Sequence, residues 1–132
     1  MGFLNTLIIV LAAILLVIGI NWLYYFIMGK YYATVIEQEE FRKGMRKAQV
    51  IDVREKKEFD GGHILGARNI PYTVLKDSMT AIRKDQPVYL YDGTKTLSVR
   101  AAKKLYKNGY RNLYVLKEGY EGWDGKKKKK NS

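Results

Sequence analysis

The chain has 132 residues, which leaves room for one domain of ordinary size once a membrane segment is set aside. Its formal net charge of +11 and pI near 9.7 favour anionic partners such as lipid headgroups, nucleic acid or acidic protein faces. It contains no cysteine, which excludes disulfides, thiolate metal sites and thiol nucleophiles, and its single histidine, His63, leaves no basis for a metal or haem site built on imidazoles.

The first charged side chain is Lys30. Before it, LIIVLAAILLVIGINWLYYFIM, residues 7–28, is apolar almost throughout and long enough as a helix to span roughly 30 Å, the hydrocarbon thickness of a bilayer. The stretch reads as one N-terminal transmembrane helix, with an anchor over residues 1–30. It lacks the basic start, shorter apolar run and small-residue cleavage site of a secretory signal peptide. Trp22, Tyr24, Tyr25, Tyr31 and Tyr32 gather at its C-terminal end, where amphipathic rings favour the headgroup region. The flank MGFLNT has no Lys or Arg, whereas everything after Lys30 is rich in both, so the domain is expected in the cytoplasm of a single-pass protein. A myristoylation pattern through Gly2 and Thr6 is treated as a chance match, because the apolar span begins at once.

From Tyr32 onward, short apolar runs alternate with amphipathic stretches, the signature of strands and helices taking turns around a mostly parallel sheet. Strands are expected at ATVI (Ala33), QVIDV (Gln49), VYLY (Val88) and NLYVL (Asn112). Helices are expected at EQEEFRKGM (Glu37) and TLSVRAAKKLYKNG (Thr96), the second with Leu97, Ala101 and Leu105 in one stripe and Gly109 ending it. The domain is placed at residues 31–125. KKKKK opens a polybasic tail over residues 126–132, expected to contact anionic lipid.

VIDVREKKEFDGGHILGARNIPY, residues 50–72, resembles the first signature of the rhodanese family, with Asp52, Arg54, Phe59, Gly62, His63, Ile64, Gly66, Ala67, Asn69, Ile70 and Pro71 in step. LYKNGYRNLYVLKEGYEGW resembles the family's closing run through Leu105, Gly109, Tyr110, Leu116, Gly119, Tyr120 and Trp123. Glu118 departs from it, standing where the first of two paired glycines is usual. The resemblance implies a three-layer α/β/α domain on a five-stranded parallel sheet. It also implies an active-site loop at the C-terminal edge of the fourth strand, where open α/β sheets bind ligands.

In active members that strand ends in a cysteine whose sulfur carries a persulfide within a curl of backbone N–H groups. Aligned on Tyr91 and Ser98, Asp92 takes the cysteine position, followed by Gly93, Thr94, Lys95, Thr96 and Leu97. A carboxylate oxygen cannot accept and pass on a sulfane sulfur, so transfer through the chain's own persulfide is excluded. Phosphoryl transfer through Asp92 would need metal ligands and a second acid, and the loop has no other acid. The expected role of Asp92 is a self-supplied anion that fills the nest of N–H donors and caps the helix.

Asp52, Arg54, His63 and Trp123 are expected to be scaffold: the arginine in an ion pair, the histidine hydrogen-bonded behind the loop. Ser98 is expected to support the helix start. No catalytic residue, metal or cofactor is expected. The reading is a membrane-anchored, catalytically degenerate rhodanese homologue serving as a binding or regulatory module for an unidentified cytoplasmic protein. Two alternatives stay open: a sulfurtransferase-related enzyme that uses the altered loop or a partner's cysteine, and a charge-driven tether to lipid or nucleic acid. No aromatic-basic recognition motif supports nucleic acid.

Overall fold

The computed structural model of the chain describes residues 2–129, and it divides between Tyr31 and Tyr32 into two compact units. Apart from its last residue, helix α1 (Phe3–Tyr32) belongs to the first. Within it, Phe3–Tyr24 is a 22-residue stretch of mean hydropathy 2.9 with no residue buried, long and apolar enough to cross a membrane. The apolar residues surround the helix instead of forming one stripe, as on helices that meet no water on any side. The helix continues two residues past the boundary expected at Lys30.

In the second unit the elements run β1 (Thr34–Ile36), α2 (Gln38–Gly44), β2 (Gln49–Asp52), α3 (Lys56–Gly61), β3 (His63–Ile64) and β4 (Arg68–Asn69). They continue α4 (Leu75–Ser78), β5 (Val88–Tyr91), α5 (Thr96–Lys107), β6 (Leu113–Leu116) and β7 (Lys127–Lys128), with short 3-10 turns between. Five strands form a parallel sheet in the order β1-β6-β5-β2-β4, while β3 and β7 pair antiparallel beside it. The strands expected from apolar runs are β1, β2, β5 and β6. The fifth strand, β4, is only two residues long.

The three central strands β2, β5 and β6 carry apolar side chains on both faces, so each alternates between two cores. Ile51, Leu90 and Val115 face a core completed by Leu75 and by Ala101, Ala102 and Leu105 of α5. Their neighbours Val50, Tyr91 and Leu116 face the opposite core, with Phe41 of α2, Ile64 and Trp123. Two cores on one sheet make three layers. Helix α5 ends as its sequence implies: Gly109 adopts φ 97° and the Tyr110 N–H donates to Leu105 O at 3.1 Å, closing the last turn.

The polybasic tail expected over residues 126–132 is strand-paired near its start. Lys127 and Lys128 pair with Ile64 and His63, and the Leu65 N–H donates to Lys126 O at 3.0 Å. The backbone of the two-residue strand β3 gains partners this way while Lys127 and Lys128 remain exposed. Residues 130–132, the remainder of that expected tail, lie outside the described residues.

Candidate functional site

The loop from Asp92 to Ser98 leaves the C-terminal end of β5 and enters α5. Register sets Tyr91 beside Asp52 of β2, so the DVR segment and the loop leave the same sheet edge together. Asp92 is 6% exposed. Its Oδ1 accepts the Ser98 N–H at 3.2 Å and the Ser98 hydroxyl at 2.5 Å, and its Oδ2 accepts the Leu97 N–H at 3.3 Å. These donors belong to the first turn of α5, where backbone N–H groups have no helical partner and the helix dipole favours negative charge.

The loop is held from outside by the closing segment. The Tyr120 N–H donates to Asp92 O at 2.7 Å and the Glu121 N–H to Gly93 O at 3.0 Å. This approach needs Gly119, whose φ is 67° and where a Cβ would lie 2.1 Å from Thr94 O. Glu118, the departure from the paired glycines, points elsewhere: its carboxylate accepts the Gln38 N–H at 3.1 Å, at the start of α2.

Behind the loop, Arg54 Nη2 donates to Asp52 Oδ2 at 2.7 Å and to Gly62 O at 2.6 Å, with both side chains buried. Burial opposes the guanidinium charge, but the hydrogen bonds and charge of Asp52 outweigh it, so the Arg54 pKa is raised. Arg54 also lies 4.3 Å from the Tyr120 ring centre. His63 Nδ1 is 2.8 Å from Phe59 O and its ring stacks on Phe59 at 3.6 Å, so it is occupied within the scaffold. Tyr91 is fully buried, its oxygen accepting the Ile64 N–H at 3.0 Å. Burial pushes the phenol far above its ordinary pKa, and the charge of Asp52 adds to that push.

Leu97 and Ser98 therefore both donate to the Asp92 carboxylate. Gly93 supplies a carbonyl to the closing segment, while Thr94, Lys95 and Thr96 are exposed and bring no side-chain bond to Asp92. Trp123 is buried in the second core with Nε1 donating to Lys126 O at 3.3 Å. Sequence reasoning did not assign Asn69, whose Nδ2 donates to Asp52 O at 3.1 Å and Arg54 O at 2.8 Å, nor the N–H groups of Tyr120 and Glu121. Asn69 stood within the matched signature, which was the available signal. Among the described residues, no three His, Cys, Asp or Glu side chains cluster as metal ligands.

Residues 37–126 match the rhodanese-like domain family. The chain is 57% identical over 95 residues to the protein YqhL of Bacillus subtilis, named as uncharacterized, covering 72% of this chain and 75% of that one. It is 36% identical over 78 residues to the thiosulfate sulfurtransferase GlpE of Pseudomonas aeruginosa, covering 58% and 69%. Among solved structures it superposes on a rhodanese-like domain protein of Staphylococcus aureus with a TM-score of 0.68 at 22% identity, covering 74% of this chain and 99% of that one.

Proposed function

Because the chain belongs to the rhodanese-like family, we propose that it is a member without the family's cysteine chemistry: a membrane-anchored binding or regulatory module at the cytoplasmic face. The observation that carries the reading is the Asp92 carboxylate, which takes three hydrogen bonds from Leu97 and Ser98 at the mouth of α5. A negative group built into the chain occupies donors that would otherwise receive an external anion. Sulfur transfer through a covalent persulfide needs a thiolate, and the chain has no cysteine to provide one. Its partners in this reading are the bilayer through α1, anionic lipid through the terminal lysines, and a cytoplasmic protein.

The test is thiosulfate-to-cyanide transfer, together with phosphate release, by the full chain and by Asp92→Cys. The parent is expected to be inactive in both assays, and Asp92→Cys to gain sulfur transfer if the loop geometry suits a thiolate. Turnover by the parent overturns the reading. Orientation is tested separately with Lys107→Cys, which puts one thiol on an exposed position of a cysteine-free chain. It should resist a membrane-impermeant thiol reagent in intact cells and react after lysis; labelling in intact cells would place the domain outside.

A second reading is favoured by the kinship with a thiosulfate sulfurtransferase: sulfur handling completed by a cysteine on a partner. Cross-linking from membranes that recovers a cysteine-bearing sulfur-transfer protein would support it over a purely regulatory role.

A further inference from the structure

On the side of the sheet that carries α2, the second unit contains a cavity of about 540 Å³, away from the Asp92 loop. Its apolar walls are Met45, Val50, Ile64, Leu65 and the ring of Trp123. Every charged side chain that lines it is a cation: Arg42, Arg46 and Lys126. Arg42 is compensated, since its Nη2 donates to Asp124 Oδ1 at 2.6 Å while its guanidinium lies 5.3 Å from the Trp123 ring centre. Arg46 and Lys126 have no acidic partner within ion-pair distance among the described residues.

Lys126 is placed here by its own backbone. Its carbonyl accepts the Leu65 N–H at 3.0 Å and Trp123 Nε1–H at 3.3 Å, so the start of the lysine run is fastened beside the apolar wall. A space of this size falls within the roughly 300–1,000 Å³ usual for small-molecule sites, which are mostly apolar with a few placed polar groups. A neutral ligand covering the rim would strip water from two cations and give them no counter-charge. A small hydrophilic anion would leave the apolar wall wet. A hydrocarbon chain ending in an anion satisfies both parts.

We propose that this cavity binds the hydrocarbon of a long-chain carboxylate whose head group is held by Arg46 and Lys126. The ligand is a free single-chain amphiphile, and the site is separate from the loop on which the functional reading rests.

The test uses the full chain carrying Trp22→Phe in nanodiscs of phosphatidylcholine, which leaves Trp123 as the sole tryptophan. The probe is a fatty acid brominated along its chain, which quenches tryptophan on contact, compared with its methyl ester. The acid is expected to quench Trp123 saturably, with the ester at least tenfold weaker. Arg46→Glu combined with Lys126→Glu should weaken the acid at least tenfold, with the circular dichroism of the parent retained. Lys107→Glu combined with Lys103→Glu, the same charge change on α5, should leave quenching as in the parent. Equal quenching by acid and ester, no effect of the rim reversal, an equal effect of the α5 reversal, or no quenching at all would each overturn the proposal. So would quenching by brominated phosphatidylglycerol in the nanodisc without added acid, because the occupant would then be bilayer lipid.

Discussion

The Ser98 hydroxyl donates to Asp92 Oδ1 at 2.5 Å, joining the end of β5 to the first turn of α5 through two buried side chains. Asp92→Asn removes the charge and presents an amide to backbone N–H donors, so the second unit should lose about 1–2 kcal/mol near neutral pH. Ser98→Ala should cost about 1 kcal/mol. The double variant should lose less than the two losses added, by at least about 0.5 kcal/mol, because the partners share one interaction. Urea denaturation of residues 32–132 measures all three. Strict additivity would mean that the contact contributes nothing.

Tyr91 gives the pH dependence. Its pKa is raised by burial, so near neutral pH both folded and unfolded chains hold the proton and its contribution is fully present. Above the unfolded value of about 10, the unfolded chain releases the proton first, and stability falls by up to about 1.4 kcal/mol per pH unit. Tyr91→Phe should be less stable at neutral pH, because the Ile64 N–H loses its acceptor, yet its stability should decline less steeply in alkali. Parallel alkaline profiles for parent and variant would remove Tyr91 as the cause.

Gly119→Ala should be more harmful than its size suggests. With φ 67° and ψ −175°, the backbone lies in a region nearly reserved for glycine, at a cost of about 1–3 kcal/mol for other residues. The added methyl would also meet Thr94 O at 2.1 Å and Gly93 O at 2.4 Å, so the loop must move. The expected result is a loss beyond the backbone cost together with shifted amide resonances for Asp92 and Gly93. Gly61→Ala, where an added Cβ meets nothing within 4 Å, serves as the control.

Replacing Lys126 to Lys130 by glutamine separates charge from strand pairing. The thermal midpoint of residues 32–132 should change little, because β7 pairs through its backbone. Binding to anionic vesicles at low salt should weaken by about 1 kcal/mol per lysine removed. In the parent, high salt should release the same binding as the Debye length shortens. Deleting the five residues should lower the midpoint as well, since β3 then loses its partner. Unchanged vesicle binding by the glutamine variant would dismiss the terminal lysines as a lipid contact.

The large elements were legible because their physics is local. β2, β5 and β6 are four-residue runs with apolar groups on both faces, and α5 shows a stripe of small and apolar residues ending at Gly109. β4 was not legible, because Arg68 and Asn69 are polar and too few to show a period; the Asn69 amide fixes the strand by reaching β2 and the residues beyond it. The six residues of α3 and four of α4 are likewise shorter than the window in which helical spacing appears. In the loop, Asp92 and Ser98 could be paired from their position at a helix start. The bonds from Tyr120 and Glu121 join segments far apart in sequence, and no local pattern marks them. Glu118, an irregularity in the closing run, acquires its reason only when α2 is placed beside it.

The sheet order also governs how the protein is made. β1 leaves the ribosome before every other strand, yet its neighbour in the sheet is β6, the last of the five to be synthesised. A nascent chain halted at Asn112 would already contain β2, β4 and β5 but would have nothing against which to lay β1. The sheet therefore closes after synthesis of β6, through a contact of high sequence separation that carries a large loop-closure cost. Until then its unpaired edges are open to chaperones and proteases, and a premature stop near the C-terminus would strand the segment that directly follows the apolar helix.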